Sequence, residues 1–136
     1  MPNLSLSVQF ASKEDQLPSR SQFRKWVKAA LRVDTEATVR IVDKKEGRAL
    51  NLAYRGKDYA TNVLTFPITE EPYLMGDIVI CAQNKPREAH FAHLTVHGTL
   101  HLHGYDHLND DQAGLMESIE VTTLMKLGYP SPYIIT

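Results

Sequence analysis

Residues 97–107 read HGTLHLHGYDH, four histidines and two glycines in eleven positions. On an α-helix His97 and His101 stand one turn apart on the same face, so their imidazoles can converge on one ion. His103 lies about 200° round from His101 and points elsewhere. Gly104 can take the left-handed conformation that ends a helix and turns the chain back, which brings His107 to the same point from outside. The stretch therefore predicts a helix, a glycine turn and a three-nitrogen metal site with its fourth position open, the arrangement of a catalytic zinc rather than a structural one. All six histidines of the chain lie between residues 90 and 107. His90 and His93 stand too far along the helix axis for the same ion and read as packing or substrate-side residues, and His103 as a core or surface residue.

Working outward, the residues from Pro86 to His103 hold no helix breaker except Gly98, so Pro86 reads as the start of this helix. GDIVICA, residues 76–82, is the most strand-like run in the chain, and NVLTFP, residues 62–67, reads as a neighbouring strand ended by Pro67. Leu50, Ala53 and Tyr54 recur at helical spacing between about Glu46 and Tyr54, with Gly56 as a stop. ATVRIV at 37–42 alternates as a strand, with Arg40 facing away from Val39 and Ile41. From Ser21, the residues Phe23, Trp26, Val27, Ala30 and Leu31 form the apolar stripe of an amphipathic helix. LSLSVQF at 4–10 alternates strictly and reads as a half-buried strand. Downstream, Asn109 or Asp110 can cap a last helix running to Leu127, with Gly128 as its stop. The expectation is an α/β (α+β) single domain over residues 1–136, with a mixed sheet of about four strands.

The composition suits one globular unit with a real core. A lone Cys81 excludes a disulfide framework within the chain and a cysteine-built zinc site, and reads as a small core residue. No stretch reads as a signal peptide or approaches membrane-spanning length, so a cytoplasmic protein with no membrane partner is expected. Net charge is near neutral but polarised: residues 1–57 carry twelve Lys and Arg against six Asp and Glu, net +6, whereas residues 58–136 carry three against ten, net −7. Such asymmetry can mark a basic surface for a polyanion or simply solvated helix faces.

The spacing of His97, His101, Gly104 and His107 also resembles the metzincin zinc-protease pattern, in which a glutamate follows the first histidine and acts as general base. Here that position is Gly98. The ligand frame is kept without the residue on which peptide hydrolysis relies.

The sequence closely resembles the YbeY endoribonucleases, which share HGxLHLxGYDH as a signature. NLAYRGKDYATNVLTFP at 51–67, MGDIVIC at 75–81 and LGYPSPY at 127–133 resemble further blocks of that family, in order. The family pattern carries an apolar residue where His103 stands. The resemblance implies a zinc-dependent, single-strand-specific endoribonuclease acting in maturation of the 3′ end of small-subunit rRNA and in ribosome quality control. It also implies one Zn2+ (nickel or another divalent metal in the purified protein), and single-stranded RNA or rRNA, the ribosomal small subunit and its associated proteins as partners. By motif the ligands are His97, His101 and His107, and the family's functional arginine falls on Arg55.

A guanidinium suits that role, because it is permanently charged and can hold two phosphate oxygens at once. The mechanism expected is attack by metal-bound water or hydroxide on the phosphodiester, with Arg55 stabilising the phosphate. Lys57, Lys44, Lys45 and Arg48 are candidates for backbone contacts with RNA. Asp77 and Asp106 are candidates to orient histidines or to cap turns. Two other functions stay open at this stage: a metzincin-like metalloprotease or amidase, and a non-enzymatic ribosome-assembly factor with a structural metal.

Overall fold

The chain runs β1 (Leu4–Phe10), α1 (Arg20–Ala30), β2 (Thr35–Val42), α2 (Lys44–Arg55), β3 (Val63–Thr69), β4 (Leu74–Cys81), α3 (Glu88–Leu102) and α4 (Asp110–Lys126). This architecture comes from a computed structural model, which describes residues 2–82 and 88–133. The expected helix start at Pro86 lies outside the described residues. The strands form one mixed sheet in the order β1-β2-β4-β3. β1, β2 and β4 are parallel, and β3 is an antiparallel edge strand. This is the α/β single domain with a mixed four-stranded sheet that the periodicities predict.

Strand alternation divides the apolar residues between two layers. Leu4, Val8, Val39, Ile41, Ile78 and Ile80 face one side, where they join Phe23, Trp26 and Val27 of α1, Phe91, Val96 and Leu100 of α3, and Met116 and Leu124 of α4. Val42, Val79, Cys81 and Leu64 face the other, under Leu50 of α2. Three helices thus cover one face and α2 the opposite one. α1 begins at a capping box, with the Ser19 hydroxyl accepting from the Gln22 N–H and the Gln22 side chain accepting from the Ser19 N–H.

β3 corrects one sequence expectation. The strand does not end at Pro67 but continues to Thr69, with an irregular register between the two. The Cys81 N–H donates to the Asn62 carbonyl at 2.9 Å. Alternation from that pair turns the backbone groups of residues 63, 65 and 67 to the free edge, where a proline removes no ladder bond.

Gly98 has a packing role that its place in the histidine motif does not reveal. It is buried on α3 against the sheet, and an added Cβ would stand 2.7 Å from Ile78 Cγ2 and 3.3 Å from Val63 Cγ2. Ile78 is fully buried and β-branched, so it has little rotamer freedom to give way. Alanine gains about 1 kcal/mol of helix propensity at such a position, and overpacking costs about 1–3 kcal/mol. Gly98→Ala is therefore expected to lose about 1 kcal/mol of stability in urea unfolding; a variant as stable as the parent would mean that α3 lifts off the sheet easily.

Candidate metal centre

α3 is buried almost all round, because the sheet, α1 and α4 enclose it. From Phe91 to Leu102 the residues that reach solvent are His93, His97 and His101, a stripe at one-turn spacing. Buried Thr95 and Thr99 satisfy their hydroxyls on the carbonyls of Phe91 and Thr95, both at 2.7 Å. The helix ends in a Schellman motif: Tyr105 N–H donates to the Leu100 carbonyl at 3.1 Å and Gly104 N–H to the His101 carbonyl at 3.0 Å. Gly104 sits at φ +95°, a conformation that side chains rarely adopt. The turn brings exposed His107 back, with ring centroids 5.0 Å from His101 and 5.8 Å from His97, which are themselves 4.6 Å apart.

One nitrogen from each of His97, His101 and His107 lies within 4.8 Å of the other two. Three nitrogens around a tetrahedral zinc stand about 3.3 Å apart, so small side-chain rotations would close the set on a divalent ion. Burial, followed by neighbouring His97 and His107, pushes the His101 pKa down, which favours the neutral imidazole that a metal needs.

Behind these rings stands a residue that sequence reasoning missed. Glu120 of α4 is 1% exposed; its Oε1 lies 3.1 Å from His97 Nδ1, and its Oε2 lies 2.8 Å from His93 Nε2 and 3.0 Å from the Tyr133 hydroxyl. Burial raises the Glu120 carboxyl, but hydrogen bonds and charge from His93 and His97 outweigh it and hold its pKa down to about 2. His93 thus shares the buried Glu120 carboxylate with His97 and is not loose packing. The available signal was that Glu120 falls on the buried phase of α4 with Met116, Thr123 and Leu124, where a carboxylate needs an explanation.

Neither aspartate proposed to orient a histidine ring does so. Asp77 lies on the α2 side of β4 with Val79 and Cys81, the wrong face of the sheet. Asp106 takes the His107 backbone N–H at 2.7 Å, and its carboxylate is 3.8 Å from the ring Nδ1. His103 is structural: Nδ1 donates to the Thr99 carbonyl at 2.8 Å and Nε2 accepts the Arg32 N–H at 3.2 Å, pinning the loop between α1 and β2.

A family model described as Endoribonuclease YbeY matches residues 7–128. The chain belongs to the endoribonuclease YbeY family. YbeY relatives include one from Methylobacillus flagellatus, 63% identical over 142 residues that cover 98% of this chain and 95% of that one. Another, from Thiobacillus denitrificans, is 54% identical, with 97% of each chain covered. Among solved structures, the solution structure of TM1509 from Thermotoga maritima matches with a TM-score of 0.57 and 26% identity over 88% of each chain.

In this YbeY chain the arginine of the YRGKD motif ends α2, on the face of the sheet opposite α3. The two helices share β3 as a neighbour: Tyr54 packs edge-on to Phe66 at 5.1 Å, while Gly98 approaches Val63. Arg55 is exposed and makes no hydrogen bond or ion pair among the described residues. Lys44, Lys45 and Arg48 line an open groove of about 730 Å³ between α2 and the segment that holds Asp58 and Ala60. Arg48 is engaged there, its Nε 2.7 Å from Asp58 Oδ1, whereas exposed Lys57 follows the α2 cap. The structure therefore places Lys44, Lys45, Arg48 and Arg55 on α2 and Lys57 just beyond its cap, and α2 covers the face of the sheet opposite α3. Among the described residues no helix is long and apolar enough to cross a membrane.

Proposed function

We propose that this endoribonuclease cleaves single-stranded ribosomal RNA, in maturation of the small-subunit rRNA 3′ end and in ribosome quality control, at a zinc site held by His97, His101 and His107. The observation that carries the reading is the convergence of three imidazoles on the solvent-open stripe of an otherwise buried helix. A zinc ion bound there would supply Lewis-acid chemistry to a phosphoryl oxygen or a water. The chain's own contribution is positional. His97, His101 and His107 present their ring nitrogens to the ion, and Arg55 holds two oxygens of the scissile phosphate and stabilises charge developing on them. Lys44, Lys45 and Lys57 hold flanking phosphates without reading sequence. The protein acts on the ribosomal small subunit with its associated proteins, in the cytoplasm.

Exposure of His107 favours a reactive site over a closed structural one. Against the protease reading, the position of the missing general base is packed on Ile78, so a carboxylate there would be buried against apolar carbon. The test is purified protein with matched single- and double-stranded RNA, with and without chelator, reconstituted with zinc or nickel. Cleavage confined to single strands, lost on chelation and restored by zinc, with 5′-phosphate and 3′-hydroxyl ends, is the expected outcome. Products ending in 2′,3′-cyclic phosphate would show that the ribose hydroxyl attacks and would overturn the water route.

A further inference from the structure

Three imidazoles suffice to bind an ion, which leaves the buried carboxylate behind them without a stated task. We propose that Glu120 is a positioning residue that locks His97 with its proton on Nδ1 and its lone pair on Nε2, turned toward the metal. The proposal rests on the three-histidine reading above and extends it to a residue from another helix.

Glu120 lies 23 residues from His97 in sequence, and its carboxylate is 1% exposed. A buried carboxylate is costly unless several donors meet it. Three do: His97 Nδ1 at 3.1 Å on Oε1, and His93 Nε2 at 2.8 Å and the Tyr133 hydroxyl at 3.0 Å on Oε2. All three partners can donate a proton, and none needs to accept one. His93 and Tyr133 occupy one oxygen and leave the other to His97. A ring whose Nδ1 donates to a carboxylate offers only Nε2 to an ion, in a fixed orientation and with raised basicity.

His93, His97 and Glu120 also bring donor atoms within 4.8 Å of one another, as a second ion would require. Their observed 2.8 and 3.1 Å separations are shorter than the ~3.3 Å between ligands of a tetrahedral ion, and are those of hydrogen bonds. Protons fill this position.

Glu120→Gln is the discriminating variant because it keeps the shape of the side chain and can keep its bonds. Its carbonyl would turn to the two donors, His93 and Tyr133, leaving the amide NH2 aimed at His97 Nδ1. That nitrogen must then accept, and the proton moves to Nε2, the nitrogen that faces the metal. Long-range 15N–1H correlation spectra of histidine-labelled, metal-free protein distinguish the two tautomers. His97 is expected as Nδ1–H in the parent and Nε2–H in Glu120→Gln, with zinc affinity, measured by competition with a chromogenic chelator, falling by about 10–100-fold.

Zinc affinity within about threefold of the parent, against the 10–100-fold typical of lost ligand support, would overturn the proposal. So would an Nε2–H tautomer in the parent, a measurement that stands even if the variant fails to fold. Two zinc ions per parent chain, falling to one in the variant, would put an ion where protons are proposed. If the parent and His101→Ala bind zinc equally, the three-histidine reading fails instead, and the metal-free tautomers still judge Glu120.

Discussion

His101→Ala is expected to remove zinc binding and to lower RNA cleavage by roughly 10³-fold or more, the scale on which loss of one member of a catalytic unit is felt. The physical reason is that two imidazoles cannot hold an ion against water as three can, and no other candidate ligand from the described residues joins His97 and His107 in a metal-sized group without His101. The fold should survive. His101 lies on the partly exposed stripe of α3 and outside the apolar clusters, so a loss of about 0.5 kcal/mol or less in unfolding free energy is expected. Metal content by elemental analysis, cleavage of a labelled single strand and a thermal melt give three separate readouts. Parental cleavage by a metal-free His101→Ala protein would sink the zinc mechanism outright.

The second large effect is expected at Arg55, with the opposite signature. Arg55→Ala should keep its zinc and its melting temperature yet lose about 10²–10³-fold in kcat, the range for removing one preorganised donor from a developing oxyanion. Arg55→Lys should recover only part of that loss, since an ammonium cannot hold two phosphate oxygens in a fork. Stability should not change, because the guanidinium is exposed and makes no internal bond among the described residues. A change confined to KM would reduce Arg55 to a general phosphate contact. Normal cleavage by folded, zinc-loaded Arg55→Glu would remove it from the mechanism. The result also bears on geometry, because α2 and α3 cover opposite faces of the sheet. A strong Arg55 effect would mean that RNA reaches both helices, which share β3 as a neighbour.

Much of the molecule was legible because its signals are local. The convergence of His97, His101 and His107 depends on one helical turn and one glycine at positive φ, both written within eleven residues. The strands show as alternation, and α1 as a stripe from Phe23 to Ala30. α3 is the informative exception. Buried on nearly all sides, it lacks the amphipathic pattern that marks α1, and it was read instead from a run without helix breakers.

Pro67 was misread because a proline in isolation says only that a ladder bond is missing. Whether that position faces a neighbour or the free edge depends on which strand lies beside it. Gly98 was legible as the absence of a protease's glutamate, but the steric demand of Ile78 and Val63 could not be read from the motif.

By itself the sequence determined the order of elements, the mixed α/β architecture and the three-histidine cluster. Periodicity, capping and helical spacing act over a few residues and leave their mark in the letters. Only the tertiary structure decided that Glu120 meets His97, His93 and Tyr133, that Asp77 lies on the face of the sheet away from α3, and that α2, which ends in Arg55, covers the face opposite the histidine-bearing helix. Those relations join residues far apart in the chain. They depend on which faces of α2, α3 and α4 are buried against the sheet and against one another, and no local pattern encodes that choice.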